Sequence, residues 1–198
     1  MENNFISNLA IFLIESGSLK FGKFRLSSGQ TSNYYVDLRT IQSFPSIFRQ
    51  IITEIESRIR AEGLEFDCLA TVPTSGLIFT SALAYEMFKP FIYIRKESKG
   101  YGANNLIEGK IGKYQKILLI DDVITTGKSL EHAINIIRDN GATVNDAMTI
   151  LYRGSEMTRK KFLDKGINLR SLFTIKDLAD YLYRNDIIDD EKRLQLQK

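Results

Sequence analysis

The sequence predicts an α/β fold, a doubly wound parallel sheet preceded by a small N-terminal hairpin unit. Short, continuously apolar runs, FDCLATV (66–72), FIYIR (91–95) and KILLID (116–121), read as strands buried on both faces. Segments of helical period alternate with them, as crossover connections between parallel strands require. Residues 22–38 show a different pattern, aromatic alternating with polar, and read as an antiparallel hairpin.

Taken in order, residues 3–16 place Phe5, Leu9, Phe12 and Leu13 at helical spacing, with Gly17 the expected stop. The hairpin over 22–38 turns at Ser27, Ser28 and Gly29. Ile47, Ile51, Ile55 and Ile59 make 45–60 an amphipathic helix that ends near Gly63. The strand at 66–72 leads to a helix over 77–88, and the strands at 91–95 and 116–121 to a helix over 128–140. A strand at 144–151, a helix at 156–165, a strand at 169–174 and a helical segment from Lys176 follow. The last run, DIIDDEKRLQLQK, reads as a solvated helix. The connection between Ile94 and Lys116 is far longer than the ~2–6 residues usual for such links. Its lysines and glycines mark it as a basic binding loop or lid.

Composition sets the class. With 198 residues, 43% of them hydrophobic and 26% charged, the chain suits one globular domain. Lys and Arg total 27 against 24 Asp and Glu, a net charge of +3 that suits anionic small molecules and does not call for nucleic acid. A single Cys68, in an apolar run, reads as a packed thiol in a reducing compartment. The N-terminus lacks the basic start and cleavage site of a signal peptide, and no apolar run reaches the ~18 residues of a membrane span. The expected location is the cytoplasm, away from any membrane.

The chemistry concentrates in KILLIDDVITTGKS, residues 116–129. An aliphatic strand delivers Asp121 and Asp122, then Val123 and Ile124, ahead of Thr125, Thr126, Gly127, Lys128 and Ser129, the residue types that suit phosphate binding at a helix N-terminus. A nucleotide P-loop is excluded because its first glycine would fall at position 122, which is Asp122. Two acids beside an anion site make sense for a ribose 5-phosphate, whose hydroxyls bond the carboxylates while its phosphate rests on the backbone N–H groups. A divalent cation shared by sugar hydroxyls and a pyrophosphate would offset the paired charge.

The motif ILLIDDVITTGKS resembles the 5-phosphoribosyl pyrophosphate (PRPP) signature of the type I phosphoribosyltransferases. The segments FGKFRLSSGQTSNYYVDLR, IRKESKGYG with LIEGKI, and LYRGSE resemble the orotate branch of that family, and the likeness spans about residues 15–180. The resemblance implies one phosphoribosyltransferase domain: a hood over about 1–40, a core over about 41–180 and a C-terminal helical segment over about 176–198. It implies transfer of the phosphoribosyl group to orotate with Mg2+ held mainly through PRPP and no direct protein ligand. A homodimer is implied too, with the 95–109 loop reaching the neighbouring active site.

By the same resemblance Arg95, Lys96, Lys99 and Tyr101 are PRPP-loop residues, with Lys96, Lys99 and Asp122 in the catalytic role. Thr74, Ser75 and Gly76 form the pyrophosphate loop. Arg153 reads the orotate carboxylate as a guanidinium fork, with Thr125, Tyr35 and Val36 around the base. The chain departs from common family patterns at Ser27 and Ser75, where many members carry lysine, and at Tyr101, where bacterial members often carry histidine. These departures shift pyrophosphate charge balance onto Lys96, Lys99 and magnesium. His132 is the only histidine and is turned away from the loop by helical geometry. Two rivals stand beside this reading: a purine phosphoribosyltransferase, and a regulator that uses the same fold to bind nucleic acid. Arg153 and the RKESKGYG loop oppose the first; the mild charge opposes the second.

Overall fold

The computed structural model describes residues 4–25, 29, 31–97, 106–112 and 115–197. The chain folds as two units, one of residues 1–51 with 173–198 and one of residues 52–172.

In the first unit, α1 (Asn4–Glu15) buries Phe5, Leu9 and Leu13, which recur every fourth residue, and stops at Gly17 with φ of +67°. Strands β1 (Leu19–Arg25) and β2 (Thr31–Val36) form the expected hairpin, Leu19 opposite Val36 and Phe21 opposite Tyr34. The expected turn residues Ser27 and Ser28 lie outside the described residues. A 3-10 helix, Leu38–Ser43, follows; the Asp37 carboxylate accepts from Arg39 N. It leads into α2 (Pro45–Ala61), which passes into the second unit after Ile51.

Two helices, α6 (Ile175–Arg184) and α7 (Asp190–Gln197), close the chain; α3 to α5 belong to the second unit. Thr174 and Asp177 cap α6 reciprocally. The Ser7 and Tyr181 hydroxyls meet at 2.6 Å, and Phe5 packs edge-on to Phe173. The run from Asp186 holds one helix, α7, as expected, but it is not fully solvated, since Ile188 and Leu196 are buried. Of its four apolar residues Ile187 and Leu194 are exposed, so no periodic face marked the buried pair.

The second unit holds a six-stranded sheet in the order β5-β4-β3-β6-β7-β8. Its strands are β3 (Cys68–Thr71), β4 (Phe91–Ile94), β5 (Ile107–Glu108), β6 (Lys116–Ile124), β7 (Thr143–Tyr152) and β8 (Asn168–Thr174), the last ending in the first unit. β4, β3, β6 and β7 run parallel, and their apolar side chains form a buried core with Leu130, Ala133, Ile134 and Ile137 of α4 (Lys128–Asp139). The other helices of this unit are α3 (Ser75–Glu86) and α5 (Glu156–Leu163). Cys68 is fully buried, and burial pushes its thiol up to about 11, as a packed and unreactive cysteine requires. His132 is exposed on α4.

Three boundaries differ from expectation. β6 does not stop at the acids but pairs with β7 through Asp121, Val123 and Ile124, because backbone pairing continues after the apolar pattern ends. The long connection after β4 includes β5, antiparallel to β4, at Tyr93–Glu108 and Ile94–Ile107. α3 begins at Ser75, two residues early, so Ser75 and Gly76 lie in a helix turn rather than a loop.

From β3 the chain moves outward to β4, then returns to β6 on the other side of β3. The carboxyl ends of β3 and β6 thus flank the point where the winding reverses, the place where open α/β sheets form a crevice for ligands.

Candidate active site

Asp121, Asp122 and Val123 are half-buried at the carboxyl end of β6, and the Asp122 N–H donates to Asp121 Oδ1 at 3.0 Å. Across the reversal point, the first turn of α3 lies close against them. A Cβ on Gly76 would collide with Thr71 Oγ1 and stand 3.0 Å from Asp121 Oδ1, so only glycine lets this helix approach. Among the described residues, the buried Thr71 hydroxyl has no hydrogen-bond partner. The Pro73–Thr74 peptide bond in this turn is cis, and Thr74 is exposed.

The acid pair is electrostatically loaded. Burial first, and the Asp122 charge second, push the Asp121 carboxyl well above the usual carboxylate range, while the Lys96 ammonium pulls it down. Burial also raises Asp122, opposed by hydrogen bonds from Asp121, from the Val123 backbone and from the Ser75 hydroxyl. The Ser75 hydroxyl thus bears on Asp122. Two adjacent acids held above their ordinary range form a site that a cation or hydroxyl donors would satisfy.

Thr125, Thr126 and Gly127 link β6 to α4, whose first turn contains Lys128 and Ser129. Gly127 takes the left-handed conformation, φ +71°, and as N-cap supplies no side chain to the first turn. Thr74, the N-cap of α3, makes no side-chain cap bond either. Ser155 of α5 and Thr174 of α6 do cap their helices. The two helix starts at the reversal point therefore keep N–H groups for an anion, with the positive end of each helix dipole behind them.

Arg153 follows β7. Its N–H donates to Ile124 O at 2.8 Å, which joins the β7–α5 turn to the start of the Thr125–Ser129 run. Thr149 Oγ1 donates to Asp122 O at 2.9 Å from the same strand. Arg95, after β4, is half-buried with Nη1 3.5 Å from Glu108 Oε1, and Lys96 is exposed. Lys99 and Tyr101 lie outside the described residues. Tyr35 and Val36 belong to the first unit: the Tyr35 hydroxyl accepts from Arg39 Nη2 at 2.8 Å, and Val36 is buried.

The second unit thus brings together Asp121, Asp122, the Thr125–Ser129 run, Ser75, Gly76, Lys96 and the Arg153 backbone. The sequence reading missed Thr71, Thr149, Tyr152 and Gly154. Only Gly154, a glycine two residues past the end of β7, carried a local signal of close backbone approach. Among the described residues no group of three or more His, Cys, Asp or Glu forms a metal cage. The carboxyl pair offers hard oxygen donors, which fit magnesium shared with a ligand's own oxygens.

Residues 39–179 match the family model described as a phosphoribosyl transferase domain. The chain is 38% identical over 195 residues to an orotate phosphoribosyltransferase of Cenarchaeum symbiosum, covering 98% of this chain and 97% of that one. It is 37% identical over 170 residues to the orotate phosphoribosyltransferase of Pyrobaculum aerophilum, covering 86% and 87%. Among solved structures, orotate phosphoribosyltransferase from Aeropyrum pernix superposes with a TM-score of 0.78 at 31% identity, covering 88% of this chain and 97% of that one. UMP synthase of Leishmania donovani superposes with a TM-score of 0.81 at 30% identity, covering 96% of this chain and 41% of that larger one.

Proposed function

The chain belongs to the phosphoribosyl transferase family, and from that premise we propose that it is an orotate phosphoribosyltransferase of pyrimidine nucleotide synthesis. It transfers the 5-phosphoribosyl group of PRPP to orotate, forming orotidine 5-monophosphate and pyrophosphate. The observation that carries the reading is the acid pair of β6 running directly into a helix start that keeps its N–H groups.

In this reading the 5-phosphate rests on the backbone of Thr125 to Ser129, and the ribose hydroxyls donate to Asp121 and Asp122. Thr74, Ser75 and Gly76 supply donors to the pyrophosphate, and Arg95, Lys96, Lys99 and Tyr101 belong to the PRPP loop, with Lys96 and Lys99 in the catalytic role. Departure of pyrophosphate leaves an oxocarbenium-like C1 on the ribose, and the cations offset the charge that develops on the leaving group. Orotate enters already ionised and attacks C1 through its ring nitrogen, its carboxylate held by the Arg153 fork. Thr125, Tyr35 and Val36 border the base. Magnesium would be held mainly through PRPP and would supply charge neutralisation to the leaving pyrophosphate, with Asp121 and Asp122 as the hard oxygen donors this chain offers. The chain works in the cytoplasm as a homodimer in which the 95–109 segment serves the neighbouring site.

The test is the absorbance change of orotate mixed with purified protein, PRPP and magnesium, with uracil, adenine, hypoxanthine and guanine run in parallel. The expected outcome is conversion of orotate alone. Turnover of a purine base would replace the assignment with a purine enzyme, and turnover of none would remove the catalytic reading.

A further inference from the structure

The turn that carries Arg153 is built more tightly than a strand-to-helix link requires. Tyr152, the last residue of β7, is 2% exposed, and its hydroxyl donates to Ser155 O at 2.7 Å. That bond spans Arg153 and Gly154 and closes the turn from one side. From the other side the Arg153 N–H donates to Ile124 O at 2.8 Å. Gly154 lies flat between the two: a Cβ there would stand 2.5 Å from the Tyr152 hydroxyl oxygen and 2.7 Å from Thr125 O. No side chain fits without moving the phenol or the backbone of the Thr125–Ser129 run.

The phenol is itself fixed. The Arg159 guanidinium lies over its ring, 4.2 Å from the centroid, and is held there by bonds to Leu169 O at 2.7 Å and Ser171 Oγ at 2.9 Å on β8. Ser155, whose carbonyl the phenol holds, also caps α5 through its hydroxyl. A chain of contacts thus runs from β8 through Arg159 and Tyr152 to the backbone that bears Arg153.

From this geometry we infer that Tyr152 is a positioning residue for base recognition. Its hydroxyl fixes the origin of the Arg153 side chain relative to Thr125, so that a base carboxylate meets the guanidinium fork in one orientation. The inference rests on the assignment of Arg153 to the orotate carboxylate. A planar, two-pronged contact is sensitive to the angle from which its stem departs, whereas a point charge is not. Loss of the phenol hydroxyl should therefore weaken recognition of the carboxylate-bearing base and leave the sugar phosphate untouched.

The test compares Tyr152→Phe with Arg153→Ala in the full-length chain by steady-state kinetics with orotate and PRPP varied separately. Tyr152→Phe keeps the ring and its stacking and removes one hydrogen bond. It is expected to raise the orotate KM roughly three- to tenfold, with the PRPP KM unchanged. Arg153→Ala should raise the orotate KM further. Gly154→Ala, a second variant of the same turn, should raise both KM values because its Cβ pushes on Thr125 O. It also serves if the phenylalanine variant does not accumulate as folded protein, and an unchanged orotate KM would then reject the positioning role. If Arg153→Ala raises the orotate KM and Tyr152→Phe does not, the positioning role is wrong and the Arg153 assignment stands. If Arg153→Ala leaves the orotate KM alone, the assignment of Arg153 fails and the inference falls with it. A fall in kcat for Tyr152→Phe with both KM values unchanged would mark Tyr152 as merely structural.

Discussion

Asp121 shows at one residue how function works against folding. Its carboxyl is pushed well above the ordinary value near 3.8 by burial and by Asp122, so the folded chain holds a proton there that the unfolded chain has released. Native protein therefore binds more protons than unfolded protein from about pH 4 up to the raised value, and stability falls as pH rises through that window. Asp121→Asn removes the charge while keeping the shape. It should stabilise the apoprotein at pH 7 by on the order of 1 kcal/mol, a rise of about 2–4 °C in Tm. The gain should vanish below about pH 4, and the same variant should lose most turnover. A Tm at pH 7 equal to or below that of the parent, measured by calorimetry, would show that the pair is satisfied without ligand.

Between elements, the Thr125–Ser129 run packs against a helix that belongs to the next crossover. Gly127 lies against Phe162 of α5, and a Cβ would come within 2.7 Å of the ring's Cζ, at a φ that alanine adopts only at a cost of about 1–2 kcal/mol. Gly127→Ala should destabilise the protein by roughly 2–4 kcal/mol once overpacking is added. Pairing it with Phe162→Leu should recover part of that loss, and strict additivity in a denaturation cycle would show that the two do not touch. The sequence carried neither contact. It did show β3 and β4, because short apolar runs between helical segments read as strands of a covered parallel sheet. Asp121 and Asp122 ended the visible pattern of β6, although the ladder to β7 continues to Ile124. β5, two residues long, is below the length at which any period can register. The acid pair and the glycine of the motif were legible since their chemistry is local. The clasp of Tyr152 on Ser155 and the approach of Gly76 to Asp121 depend on residues that meet only after folding.

At the scale of the whole molecule, both chain ends belong to one unit: α1 and the hairpin are grouped with α6 and α7 rather than with the sheet. A chain ending at Thr174 should lose amide-exchange protection across β1 and β2 while the central strands β3, β6 and β7 keep theirs. Uniform loss of protection would show that the two units unfold as one. The antiparallel pairing of β5 with β4 bears on when the entropy of loop closure is lost. Tyr93 and Ile94 pair with Glu108 and Ile107, and Arg95 N donates to Leu106 O at 2.8 Å, so the two ends of the connecting segment stand one strand spacing apart before any substrate arrives. The entropy of bringing those ends together is then lost once, when the chain folds. It is not lost again when substrate binds, because the β4–β5 pairing already holds those ends.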